Sequence, residues 1–148
     1  MRLSQKAIDA LLAVREAIAI DPASFDMEIW CGWGECGATL CIAGHLCVYA
    51  GAEPRPRPMP FSYRGFVYEP CEIVEKKFGI SGEQAEELFY KEEWPVALQD
   101  MYNDGNRVLA AQLAIDWFIR KYSAPERERE QPESVETAEE SVNNKIAV

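Results

Sequence analysis

Residues 1–123 predict a mostly α-helical domain of five or six helices, with room for a short β-hairpin near Gly32, and residues 124–148 predict an acidic, disordered tail. Three observations carry this. Apolar residues recur at three- and four-residue spacing through most long segments, which puts them on one face of a helix. Start and stop residues bracket those segments, most plainly the Ser81-Gly82-Glu83-Gln84 capping box that follows Gly79. From Ala124 onward the chain is polar, charged and nearly free of large apolar groups, so burial there cannot offset the entropy of ordering.

With 148 residues, 48% of them hydrophobic, the chain can fill one core but not two. Its net charge is −10: residues 1–124 carry 18 acids against 12 bases, and residues 125–148 carry 7 against 3. Both parts are acidic, which disfavours a nonspecific nucleic-acid binder, because such a protein needs a positive face to displace counterions. The start, MRLSQKAIDALL, lacks the apolar run of a signal peptide, and charges interrupt every later apolar run. A cytoplasmic protein without a membrane partner is expected, in the host cytoplasm if phage-encoded. Five cysteines, an odd number without an export signal, predict reduced thiols.

Ser4 is placed to cap a first helix carrying Ile8, Leu11, Leu12, Arg15 and Ile18 on one side, closed by Asp21-Pro22. Met27 to Cys31 suits a short extended run, and Gly32, Gly34 and Gly37 allow the tight hairpin. Thr39 is the predicted N-cap of a second helix from Leu40 to about Ala50, ended by Gly51. Gly44 within it costs roughly 1 kcal/mol relative to alanine, which makes sense in a central, buried helix with close neighbours. Residues 52–66, with prolines at 54, 56, 58 and 60, predict a long crossing loop. Pro70 suits the first turn of a third helix, with Cys71, Val74 and Phe78 inward and Gly79 ending it. The capping box launches a fourth helix through Ala85, Leu88 and Phe89. Trp94-Pro95 breaks it, Val96–Tyr102 forms a fifth, and residues 106–122 form the last. There Val108, Ala111, Ile115, Phe118, Ile119 and Tyr122 make one stripe, and Leu109, Leu113 and Trp117 a second. So wide an apolar arc predicts packing on two sides, against the first and second helices.

The stretch from Trp30 to Gly51 concentrates four of the five cysteines, the single histidine and two of the four tryptophans. Its core, Cys36-Gly37-Ala38-Thr39-Leu40-Cys41-Ile42-Ala43-Gly44-His45, resembles a signature of small uncharacterised proteins of bacteria and their phages, C-G-T-x-x-C-x-A-G followed by His or Trp. Phe78-Gly79-Ile80-Ser81, Ala85, Leu88-Phe89 and Trp94-Pro95 resemble the downstream pattern of the same family, so the similarity covers roughly residues 4–122. Ala38 stands where that family usually has threonine. The resemblance implies a fold unit and a bacterial or phage setting, and it brings no reaction with it.

Three constellations hold candidate chemistry. Cys31, Cys36, Cys41 and His45 offer three thiolates and an imidazole, a donor set suited to tetrahedral zinc, although the spacing is not that of compact zinc knuckles. Cys36, Cys41 and Cys47 can equally be small buried groups that let a helix pack closely. Cys41 near a helix start, with His45 four residues on, is the minimum for a thiol nucleophile and its base; an orienting third group and an oxyanion hole are not legible. Arg55, Arg57 and Arg64 among Phe61, Tyr63, Phe66 and Tyr68 form the one locally basic stretch, suited to an anionic ligand or a protein partner. The same residues can equally be arginines that neutralise nearby acids and aromatics that pin the loop to the core. With no complete catalytic set, the sequence favours a non-enzymatic interaction protein that binds a host or defence component or its anionic ligand, through Arg55, Arg57, Tyr63 and Arg64. The alternatives are a Cys41 and His45 thiol enzyme and a small zinc module.

Overall fold

Ser4 starts the first helix, α1 (Gln5–Ile20), by accepting the Ala7 amide on its hydroxyl at 3.1 Å. The face α1 buries is Ala7, Ala10, Leu11, Val14 and Ile18, rotated from the stripe the sequence suggested. Leu12 is 46% exposed and Arg15 sits at the rim, because Arg15 reaches across to Asp116 with two bonds of 2.9 Å. Small alanines toward the core let the neighbouring helices approach, so the larger Leu12 is left outside.

The computed structural model describes residues 2–27, 31–34, 37–54, 61–63 and 66–123, with 31–34, 37–39, 63 and 66–68 described through their backbone alone. After α1, a 3-10 turn at Pro22–Ser24 leads to Phe25, which bridges Leu40 in parallel. The hairpin near Gly32 is present as β1 (Cys31–Gly34) antiparallel to β2 (Gly37–Leu40), with Cys31 opposite Leu40 and Gly34 opposite Gly37. Helix α2 (Ile42–Tyr49) follows directly.

The β2 pairing corrects the expected start of α2. Thr39 is paired with Gly32, and Leu40 is held extended by Cys31 on one side and by the Asp26 amide, 3.1 Å from its carbonyl, on the other. Neither residue can turn into a helix, so the N-cap passes to Cys41. Residues 52–66 hold a second correction. They were expected to be loop throughout, but Glu53–Pro54 (β3) pairs with β4 (Phe61–Tyr63), which pairs with β5 (Phe66–Tyr68). Prolines tolerate the edge of a sheet, and the one in register, Pro54, lies in the edge strand β3.

The second half follows the sequence closely. Helix α3 (Pro70–Phe78) ends at Gly79 with φ 73°, and α4 (Gly82–Phe89) begins with the reciprocal Ser81 and Gln84 capping box. Trp94 is buried and donates its indole N–H to the Leu88 carbonyl at 2.9 Å, which pins the break between α4 and α5 (Val96–Asn103). Helix α6 (Arg107–Ser123) buries Ala110, Ala111, Ala114, Ile115 and Phe118. It packs chiefly on α5 and α1, then α4, while α2 packs on α1 and α3. The cysteine-rich helix, expected as its second neighbour, is thus not among the principal partners of α6, and α5 takes that place. Leu109 is 48% exposed, and Leu113 and Trp117 are half-buried, so the second stripe faces outward. Among the described residues no helix is long and apolar enough to cross a membrane. The expected tail, 124–148, lies outside the described residues.

The rotation of α1 is testable by denaturant titration. Leu11→Ala should cost about 2–5 kcal/mol through loss of buried volume, whereas Leu12→Ala should stay within about 0.5–1 kcal/mol of wild type.

Candidate functional site

Cys41 and His45 sit at the start of α2, one as its cap and the other within its first turns. Cys41 is 2% exposed, and its Sγ accepts the Gly44 amide at 3.4 Å. A thiol in this role replaces the usual Ser, Thr, Asn or Asp and satisfies one of the amides that a helix leaves unpaired at its start. Sulfur suits the position because almost everything around it is apolar.

His45 is half-buried, and its Nε2 lies 3.1 Å from the Ser24 carbonyl. A carbonyl only accepts, so Nε2 carries the proton and Nδ1 has the lone pair of the neutral ring. Burial holds the imidazole pKa below its ordinary 6.5, outweighing the Ser24 bond and the Asp21 charge, which both push it up. This bond ties the 3-10 turn to α2, next to the Phe25 and Leu40 bridge. The ring therefore fastens the α1–β1 connection to the central helix.

The other thiols are structural in the same sense. Cys47 is fully buried and donates to the Pro70 carbonyl at 3.8 Å; its thiol pKa is driven far up by burial and then by the neighbouring Cys41 and Cys71. Cys71 is half-buried and packs against the core from the inner side of α3, as expected, and burial together with Glu69, Glu86, Glu72 and Glu75 also raises its pKa. Cys41, Cys47 and Cys71 are unbridged. Cys47 and Cys71 are thus protonated at neutral pH, the opposite of an activated nucleophile.

The zinc set is placed only in part. Cys36 lies outside the described residues, and Cys31 is described by the backbone of β1 alone. Among the described residues no group of three or more His, Cys, Asp or Glu side chains is arranged to hold a metal ion. Zinc at His45 would have to use Nδ1, since Nε2 is donating.

Arg55, Arg57 and Arg64 also lie outside the described residues, and Tyr63 is described as the β4 residue opposite Phe66. The topology still changes how they are read. Arg55 and Arg57 belong to the connection between Pro54 and Phe61, whereas Arg64 belongs to that between Tyr63 and Phe66. These two segments of sequence join opposite ends of β4.

A cleft of about 320 Å³ lies beside the His45 tie, lined by Pro22, Phe25 and residues 105–109. Its size falls at the lower end of the range for ligand pockets. Arg107 stands at its edge, 3.9 Å from Asp26 and with its guanidinium carbon 5.8 Å from the centre of the Tyr102 ring. Tyr102 accepts the Met27 amide at 2.9 Å and meets Phe25 and Trp94 edge to face at 6.4 and 6.0 Å. The sequence reading missed this cluster because its members are spread over some eighty positions with no periodic signal. The chain matches no protein-family model, no curated protein and no solved structure.

The His45 tie makes stability depend on pH with a fixed sign. A histidine with a depressed pKa in the folded state stabilises fully above about 6.5, and that contribution is lost as pH falls toward the folded value. The urea midpoint of wild type minus that of His45→Gln should therefore be largest above pH 7 and shrink below about pH 6. A difference that grows on acidification would contradict the neutral ring. Native alkylation followed by mass spectrometry should label Cys71 well before Cys41 or Cys47, with the order lost in denaturant.

Proposed function

We propose that this protein works by binding, as a small non-enzymatic interaction protein of bacterial or phage origin whose partner is a host or defence protein or the anionic ligand of one. The observation that supports this most is the use of Cys41 and His45. The thiol is enclosed and accepts a helix amide, and the imidazole N–H is committed to Ser24, so the pair best suited to nucleophilic chemistry serves to hold α2 in place. Recognition then falls to the surface. Arg55, Arg57 and Arg64, before and after β4 in the sequence, carry planar, forked donors suited to carboxylate or phosphate, and Arg107 adds another among the residues that line the cleft. Binding of an anionic group by such donors needs no activated nucleophile and is compatible with an acidic body, provided the donors are locally concentrated.

The test is affinity capture from bacterial lysate with matched variants, scored by the identity of recovered proteins. Partners held by wild type should be lost, or reduced about tenfold or more, when Arg55, Arg57 and Arg64 are all changed to Ser, as expected for removal of desolvated charge-assisted bonds. The same partners should persist with Cys41→Ser. Undiminished recovery with the triple variant would remove those arginines from the function, and loss with Cys41→Ser in a folded protein would return the thiol to it.

A further inference from the structure

The outer face of α6 carries an apolar row that the other described residues leave largely uncovered. Leu109, Leu113 and Trp117 recur at four-residue spacing along it, and Asn106 and Arg120, three residues before and after, extend the row at its two ends. Leu109 is 48% exposed. Leu113 is half-buried and, among the described residues, is not one of the apolar side chains packed on the core; Trp117 touches the core from the margin, with the Lys121 Nζ 5.5 Å from its ring centre. The charges nearby are mostly engaged and mostly off the row. Arg107 pairs with Asp26 and points about 200° around the helix from Leu109. Lys121 and Tyr122, which meet Glu87, point about 100° and 200° from Arg120, so α4 with its exposed Glu83 and Glu86 lies on the far flank. Asp116 is held by Arg15, and Asp9 and Glu16, the exposed acids of α1, point about 100–120° around that helix from Arg15. Asp104, in the turn that leads into α6, and Arg120, near its end, are exposed and form no ion pair among the described residues.

A row with an acidic start and a basic end is complementary to itself when reversed. Two copies of α6 laid antiparallel across a two-fold axis at Leu113 set Leu113 on Leu113, Leu109 on Trp117 and Arg120 opposite Asn106, the last two contacts occurring twice. Asp104 precedes Asn106 by two residues, about 3 Å farther along the axis if the helical rise continued, which is within the reach of an arginine side chain. A parallel two-fold would instead set Arg120 on Arg120 and Asp104 on Asp104, with the helix dipoles aligned side by side. We infer that the occupant of this face is a second copy of the same chain, packed α6 on antiparallel α6. A contact built on one 17-residue helix pair falls in the class below about 1,200 Å² of total buried surface. Two copies of net charge −10 also repel at long range, so the dimer is weak and reversible. This goes beyond the binding reading above and does not depend on it.

The test is sedimentation velocity on the full chain at about 0.15 M salt, where charges more than about 8 Å apart are largely screened. The mean mass should rise from monomer toward dimer with protein concentration; a mass that stays monomeric up to about 1 mM overturns the proposal. Each substitution enters a two-fold interface twice, so Leu109→Glu should weaken the dimer about tenfold or more. Val48→Glu places the same charge at an apolar position of α2 that is 40% exposed, and should leave the dimer within about threefold of wild type. Equal weakening by both, or by neither, overturns the assignment to this face. Arg120→Glu, at an exposed position that the fold does not need, should weaken the dimer about three- to tenfold. Adding Asp104→Lys should restore it, whereas adding Glu53→Lys on β3, the same change in net charge, should not. Restoration by both alike, or by neither, overturns the antiparallel packing, and this arm decides even if Leu109→Glu fails to fold.

Discussion

Helix α2 is enclosed by α1, α3, α4 and two strands, so its start cannot rely on water to satisfy the amides that a helix leaves unpaired. The chain answers with side chains from within the same stretch. Cys41 takes the Gly44 amide, and His45 donates outward to Ser24, which anchors the turn that carries Phe25 to Leu40. An unpaired amide in such a place costs about 1–3 kcal/mol, comparable to a large fraction of a small domain's net stability. The hairpin, the α1 exit and the α2 start are therefore one coupled unit. The concentration of sulfur and imidazole here follows from the need for polar partners that are small and tolerate burial.

That coupling bears on function by elimination and by placement. Burial pushes a thiol away from the thiolate that nucleophilic chemistry needs, and both Cys47 and Cys71 are shifted in that direction. On the binding reading proposed above, recognition falls to the periphery: the sequence segments around β4 that carry arginines, and the cleft beside Arg107. The cleft is assembled from residues far apart in sequence, Pro22 and Phe25 with residues 105–109. An acidic average charge says nothing of the Arg107 cleft, since net charge describes solubility and long-range steering better than local affinity.

Local signals gave the second half of the fold almost residue by residue. Ser81, Gln84, Gly79 and Pro70 act through their own backbones and need no distant partner, so their roles are legible in sequence. The first half was less legible for the converse reason. Thr39 is a good cap in isolation, but strand pairing with Gly32 outweighs its preference and moves the cap to Cys41. Leu12 and Leu109 fit helical stripes yet stay exposed, because periodicity fixes a face and not which neighbour fills it. Of the candidate sites, the closeness of Cys41 and His45 in the chain was plain, but their structural duties depend on Ser24 and Gly44. The Tyr102 cluster is a product of tertiary packing alone.

The most direct measurement of this account is the tautomer of the single histidine, read from the nitrogen-15 shifts of a labelled sample near neutral pH. The account predicts a neutral ring with a protonated, pyrrole-like Nε2 and an unprotonated Nδ1, and an Nε2 proton protected from exchange by Ser24. A charged ring would contradict it, and so would a proton on Nδ1 with Nε2 bare, which would free Nε2 for base or ligand chemistry.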